Sequence, residues 1–349
     1  MSEKVSKLFF LFSGEHPTLP FSELNAILEA EGYEYQILER LSQVLRVDVS
    51  FESVKSIELR SSMTRVCGLE LLCCSAEADK VFKMAHSVPL EEFVQKGESF
   101  AVRVRRVKES APHLLGLDLE RKLGKIILNK AKGVKVDLTN PQKVFFGVLA
   151  DSKFVFGLKV AEISPKPFIQ RDPRKRPFFH PSAMPSKLAR CMVNLTKPRV
   201  GELVLDPFCG TASMLVEAGL IGCRVLGLDV KQRMVKGSLR NLLRYGIRPE
   251  GLIVADALRP PTIKASCIVT DPPYGKLATT IGRKTSQIIK GALSTLQDCL
   301  AAERRICIAA PKSVKAGMLG EELSLKHVES HFVRVHSSLT REIAVFERR

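Results

Sequence analysis

The feature that most constrains this chain is the strict alternation of short apolar runs with helical stretches between residues 203 and 309. Runs at Leu203–Leu205, Arg224–Leu228, Gly251–Ala255, Cys267–Thr270 and Arg305–Ala309 read as strands. Helices are expected over Ala212–Ala218 and Lys231–Tyr245. Strands joined through helical crossovers pair in parallel, and their apolar character throughout requires helices on both faces. The expectation is an α/β domain with a mostly parallel sheet.

An open sheet of this kind binds ligands beyond the carboxyl ends of its strands. The acidic residues of this half fall there. Asp206 ends the first strand and leads into Pro-Phe208-Cys-Gly210-Thr, a tight turn into a helix whose free N–H groups face the same crevice. Asp229 ends the second strand, where a carboxylate commonly accepts hydrogen bonds from a ribose diol. Asp256 follows the third. Any one of them is as well read as a helix cap; the series is not. No Walker pattern is present, which argues against a nucleoside triphosphate site.

The fourth strand ends in Val269-Thr-Asp271-Pro272-Pro-Tyr274-Gly. Consecutive prolines keep this backbone out of a helix. The Asp271 carboxylate and the Pro272 carbonyl are thereby offered to the crevice as two fixed acceptors. A planar exocyclic amine has two N–H donors, so this pair can hold it and present its nitrogen to an electrophile. Tyr274 is placed to stack on the base.

The first third of the chain lacks that regularity. Strands are expected at Lys7–Ser13, across Tyr35–Val49, and at Arg65–Cys74, Ser99–Val107, Lys143–Ala150 and Lys153–Ala161, with helices at Phe21–Glu31, Glu77–Val88 and Leu117–Lys132. This is an α+β pattern. Six prolines within Ser164–Pro185, together with Arg171, Arg174, Lys175 and Arg176, read as a basic linker without helix. Lys and Arg number 54 against 37 Asp and Glu, a net charge of +17 that calls for a polyanionic partner. Nine cysteines without C-x-x-C spacing exclude a zinc ribbon and fit a reducing cytoplasm. No metal site is expected. No apolar stretch reaches the ~18 residues of a membrane span, and no signal-peptide pattern is seen.

Taken together, the motifs Asp206-Pro-Phe-Cys-Gly-Thr and Asp271-Pro-Pro-Tyr-Gly resemble those of the THUMP-containing tRNA (guanine-N2-)-methyltransferases, most closely the branch acting on guanosine 10. Upstream, Phe100-Ala-Val-Arg-Val-Arg-Arg106, Leu123-Gly-Lys125 and Lys135-Val-Asp-Leu-Thr-Asn-Pro141 resemble a THUMP domain. The resemblance implies a Rossmann-like class I methyltransferase domain at 179–349. Before it would come a ferredoxin-like domain at 1–75, a THUMP RNA-binding domain at 76–162 and the basic linker at 163–178. It further implies S-adenosyl-L-methionine as cofactor, with Asp229 on the ribose and Asp256 on the adenine amine. Asp206, Phe208, Gly210 and His180 would lie at the methionine end, and Asp271, Pro272 and Tyr274 would handle the base. Where the family commonly has further glycines, this chain has Ala212 and Ser213.

Arg103, Arg105, Arg106, Arg121, Lys122, Lys125, Arg174, Lys175 and Arg176 are the expected tRNA contacts. The family also implies a cytoplasmic, monomeric catalytic chain, which in some members works with a small zinc-binding activator protein. Three alternatives stay open from sequence: guanine N2 at tRNA position 6 or in rRNA, adenine N6, and a non-catalytic RNA-binding factor.

Overall fold

The computed structural model describes residues 5–262, 264–274 and 284–348. Gly275, the last residue of the Asp-Pro-Pro-Tyr motif, lies outside them. The chain forms two compact units whose boundary does not follow the sequence. One comprises residues 1–20, 33–58 and 64–163; the other takes 21–32, 59–63 and 164–349.

The first unit is built on one sheet of eight strands. They are β1 (Val5–Phe12), β2 (Tyr35–Leu41), β3 (Val44–Ser50), β4 (Thr64–Ser75), β5 (Ser99–Arg106), β6 (Lys135–Val136), β7 (Lys143–Ala150) and β8 (Lys153–Glu162), in spatial order β2-β3-β1-β4-β8-β7-β5-β6. The order β2-β3-β1-β4, with helix α1 (Leu19–Ala30) after β1 and helix α2 (Ser53–Arg60) after β3, is a ferredoxin-like βαββαβ pattern. The antiparallel pairing of β4 with β8 carries the sheet on into the THUMP segment without a break. The sequence offered no signal for that, because β4 alternates too little to announce a second paired edge. Helices α3 (Ala78–Ser87) and α4 (Gly116–Lys130) lay Val81, Ala85, Leu119, Leu123 and Ile127 onto Phe100, Phe145, Phe154 and Phe156.

The second unit contains α5 (Lys166–Gln170), α6 (Ser186–Leu195), β9 (Leu203–Asp206), α7 (Ser213–Leu220), β10 (Arg224–Asp229), α8 (Gln232–Arg244), β11 (Gly251–Val254), β12 (Cys267–Thr270), α9 (Thr285–Cys299), β13 (Arg305–Pro311), α10 (Ala316–Glu322), β14 (Lys326–His336) and β15 (Leu339–Glu347). Its sheet order is β11-β10-β9-β12-β13-β15-β14, parallel from β11 to β13 and closed by the antiparallel β15 and β14. Leu205, Leu226, Ile268, Ile306 and Phe346 bury one face against Ile289, Leu293 and Leu296 of α9. Order reverses between β9 and β12, which opens a crevice beyond their carboxyl ends.

The proline-rich linker expected to be free of helix is a correction. It contains α5 and a 3-10 turn at Pro173–Lys175. Pro165, Pro167, Pro173 and Pro185 stand at helix starts, where the missing N–H would have had no partner.

The 21–32 and 59–63 segments complete the second unit through a buried acid. Glu23 on α1 is fully buried, and its carboxylate accepts from the Ser61 hydroxyl (3.0 Å), the Ser62 hydroxyl (2.7 Å), the Ser62 and Met63 amides and the Asn194 amide on α6 (3.0 Å). Glu23→Ala would orphan all these donors. It is expected to cost about 3 kcal/mol or more in denaturant unfolding. A fragment 179–349, which lacks Glu23, should be destabilised at the same place.

Candidate active site

Asp206 and Asp271 stand at the carboxyl ends of the neighbouring strands β9 and β12, on the two sides of the topological switch. Both line one open cleft with Ser182, Ala183, Met184, Phe208, Gly210 and Thr211, among others, with a cavity volume of about 60 Å³. Asp206 is buried. Its Oδ1 accepts from the Thr270 hydroxyl (2.7 Å) and the Phe208 amide (3.1 Å). Burial pushes its carboxyl up to about 7, against the pull of those two hydrogen bonds, and the nearby Asp271 and Asp229 push the same way.

Gly210 turns the chain with φ +51°, and Ala212 follows in the left-handed region at φ +63°. This left-handed position, which glycine takes without strain, is held here by an alanine at some cost in backbone strain, on the order of 1 kcal/mol. Ser213 is committed elsewhere, as the acceptor for an Arg176 Nη1–H at 3.0 Å. Asp229 accepts from the Gly210 amide (3.1 Å) and the Lys231 amide (2.8 Å), and burial raises its carboxyl too. The second strand's acid thus braces the glycine turn after the first. Asp256, two residues beyond β11, accepts from the Leu258 amide at 3.0 Å.

Asp271 belongs to a small, largely buried charged cluster. Its Oδ2 lies 3.6 Å from Arg341 Nη2, while its buried Oδ1 has no hydrogen-bond partner among the described residues. Burial raises its carboxyl, opposed by Arg341 and then by a hydrogen bond from Tyr274. Arg341 Nε donates to the Tyr274 hydroxyl, and its Nη1 lies 3.6 Å from Met184 Sδ. Pro272 is buried beneath this pair. Sequence reasoning missed Arg341 because it sits 70 residues beyond the motif on an antiparallel strand, with no local pattern to mark it.

The segment before α6 is tied over the glycine turn. The Phe178 amide donates to Asn241 Oδ1, while Asn241 Nδ2 donates back to the Phe178 carbonyl and to the Thr211 carbonyl. The Phe178 ring occupies the space a Cβ on Gly237 would need, 2.1 Å away, so α8 requires glycine there. His180 itself does not line the cleft; its Nδ1 pairs with the Ser182 hydroxyl at 2.8 Å and so shapes the loop that does.

The expected RNA contacts separate into two kinds. Arg105, Arg121, Lys122 and Lys125 are exposed on the first unit, and Arg174 and Lys175 on the second. Arg176 is a correction. It is buried, with Nε on the Arg171 carbonyl, Nη1 on Ser213 and Nη2 on Ser186, and burial holds its basicity down. No phosphate can reach it. Arg106 is spent on the carbonyls of Ser110, Ala111 and Leu114, and Arg103 donates to those of Val102 and Leu138. Charge in the sequence does not tell a solvent cation from one that ties down a loop.

A fold of this strand order, with acids at successive carboxyl ends and an Asp-Pro-Pro-Tyr turn at the switch point, is that of a class I S-adenosylmethionine-dependent methyltransferase. Residues 173–343 match the RMKL-like methyltransferase domain family, and 75–158 match the THUMP domain. A solved methyltransferase in complex with SAH covers 99% of this chain and 99% of its own, at a TM-score of 0.57 and 14% identity. The tRNA (guanine(10)-N2)-dimethyltransferase of Methanothermobacter thermautotrophicus is 38% identical over 98% of this chain and 99% of its own length. That of Methanocaldococcus jannaschii is 32% identical over 97% and 99%. The chain belongs to this tRNA (guanine(10)-N2)-dimethyltransferase family.

The acid cluster generates a pH prediction. Between the ordinary aspartate range and about 7, native Asp206 keeps a proton that the unfolded chain has released. Stability therefore falls as pH rises through that window. Asp206→Asn keeps an oxygen for Thr270 and removes the charge. It should flatten the decline by roughly 3 kcal/mol, read from denaturation curves taken at about pH 4.5 and about pH 7.5.

Proposed function

We propose that this protein methylates the exocyclic N2 of a guanine in tRNA, guanosine 10 by analogy with its relatives, and that it adds up to two methyl groups. The observation that carries this reading is the buried Oδ1 of Asp271, which has no hydrogen-bond partner among the described residues and belongs to a side chain lining the same cleft as Asp206 and the Gly210 turn. A buried acceptor without a partner is costly unless a ligand donor completes it.

The residues present suit S-adenosylmethionine. Asp229 at the end of β10 would take the ribose and Asp256 the adenine amine. Asp206, Phe208 and the Gly210 turn would face the methionine end, with the loop that His180 shapes closing over it. The cofactor, when bound, supplies an electrophilic methyl on a positively charged sulfur. The chain's own work is then alignment. Asp271 Oδ1 and the Pro272 carbonyl accept the two N–H bonds of the guanine amine, and Tyr274 stacks on the ring. The nitrogen lone pair is left facing the methyl, and Asp271 is placed to take the proton that the amine loses afterward.

A guanine inside a tRNA stack must be extruded to reach such a cleft. We assign the grip on the RNA to phosphate contacts from the exposed Arg105, Arg121, Lys122, Lys125, Arg174 and Lys175. The small zinc-binding activator of some family members is a further partner proposed from the resemblance. Nine free cysteines suit a reducing compartment, which we take to be the cytoplasm. No helix among the described residues is long and apolar enough to cross a membrane.

Two experiments test the assignment. Asp271→Ala should lower methyl transfer to tRNA by on the order of 100-fold or more while cofactor affinity stays within a few-fold. Asp229→Ala should instead weaken cofactor binding by roughly 1.5–3 kcal/mol in calorimetry and leave tRNA affinity alone. Near-normal turnover by the first variant would contradict the site. For the RNA grip, neutralising Arg105, Arg121 and Lys125 together should lower the log–log salt slope of tRNA binding by about 2. Arg106→Met should lower thermal stability and leave that slope unchanged.

A further inference from the structure

Arg341 has no counterpart in the motifs that define the site, yet it touches two of their members. It is 9% exposed and sits on β15, the strand held on one side by β13 and on the other by β14, with Pro311 and Val333 as its cross-strand partners. The next residue, Glu342, points to the opposite face, where it accepts from the Ala316 and Gly317 amides and the Ser330 hydroxyl. Alternation along the strand thus fixes Arg341 toward the cleft, on backbone that cannot move without breaking two ladders.

From that anchor the guanidinium makes three contacts in different directions: Nε to the Tyr274 hydroxyl, Nη2 to Asp271 Oδ2 at 3.6 Å, and Nη1 to Met184 Sδ at 3.6 Å. Its central carbon lies 5.6 Å from the Tyr274 ring centre. One rigid fork therefore spans the base-stacking ring, the acceptor carboxylate and the loop that lines the far side of the cleft.

We infer that Arg341 is a positioning residue for methyl transfer: by occupying Asp271 Oδ2 and the Tyr274 hydroxyl it fixes both side chains and leaves Oδ1 as the acceptor for the target amine. This rests on the proposed reaction and adds to it a cation that the Asp-Pro-Pro-Tyr motif cannot supply. The need for it is electrostatic. Asp271 is a carboxylate with little water, and burial favours its protonated form. A protonated Asp271 presents a donor to an amine that offers only donors. Among the described residues, the charged or titratable groups that act on Asp271 are Arg341 from β15 and Tyr274 from its own turn, and Asp271 in turn acts on Asp206 at the end of β9. Only Arg341 brings positive charge. Its loss therefore moves the Asp271 ionisation to higher pH, and the amine-accepting form is lost earlier as pH falls.

The test uses full-length protein, tRNA and saturating S-adenosylmethionine, with single-turnover rates measured across pH. Arg341→Met should reduce the rate by roughly 10- to 100-fold, the scale for lost alignment at a reacting centre. It should move the acid limb of the profile upward in pH and leave cofactor affinity within about threefold. Arg341→Lys keeps the charge and loses the fork. It should return the acid limb toward wild type while recovering only part of the rate. In a Tyr274→Phe background, Arg341→Met should cost less than it does alone, because one of its contacts is already gone.

The inference is overturned if Arg341→Met keeps the wild-type rate and acid limb. It is equally overturned if the rate falls only in proportion to cofactor affinity and melting temperature, with Arg341→Lys giving no rescue of the limb. Wild-type protein that transfers no methyl to tRNA would instead remove the reaction on which the inference stands, and the two failures are separate readings of one experiment.

Discussion

Everything at the catalytic end of this fold depends on keeping carboxylates in a place with little water. Asp206 and Asp271 end adjacent strands on either side of the point where strand order reverses. Burial raises the proton affinity of both, and Asp271 raises that of Asp206 further. Such an arrangement unfolds or protonates unless each charge is met by donors. The structure meets them unequally. Asp206 is served by Thr270 and a backbone amide, Asp229 by the two amides at Gly210 and Lys231, and Asp271 by Arg341 and Tyr274. The Oδ1 of Asp271 has no hydrogen-bond partner among the described residues, and in the proposed function it is the oxygen that takes the ligand's donor.

The same economy of charge explains the arginines. Arg171 and Arg190 both close on the fully buried Glu217, while Phe168 lies against their guanidinium groups, 4.7 Å from Arg171 and 5.8 Å from Arg190. Arg176 ties the segment before α6 to Ser186 and Ser213. The basic stretch before the catalytic domain is therefore in part a clamp, while its Lys166, Arg174 and Lys175 are exposed. A positive net charge of +17 conceals this division. Nucleic-acid affinity belongs to the subset of cations whose donors are not already spent.

How much could be read beforehand follows from the range of the interactions involved. The strands β9, β10, β12 and β13, the helices α7 and α8, and the acids at Asp206, Asp229 and Asp271 are local: a run of apolar residues, a turn and a carboxylate within a few positions. They were legible. What escaped was set by distant partners. The helix α1 and residues 59–63 complete the second unit through Glu23 and Asn194, 171 positions apart, so a domain boundary drawn by composition at 178 divides a compact unit. The pairing of β4 with β8 merges two expected domains into one sheet, and nothing in either strand alone reveals it. Arg341 belongs to this class as well, and so does the commitment of Arg106 and Arg176 to carbonyls and hydroxyls. Motif reading finds the residues that act and misses those that hold them.

The central claim is that two fixed acceptors in this cleft select the exocyclic amine of guanine. Nucleoside mass spectrometry of unmodified tRNA, after incubation with the full-length protein and methyl-labelled S-adenosylmethionine, measures that choice directly. The account predicts label in N2-methylguanosine and N2,N2-dimethylguanosine, mapped by nuclease fragments to position 10. Label in N6-methyladenosine, or none in any nucleoside while cofactor and tRNA both bind, would contradict it.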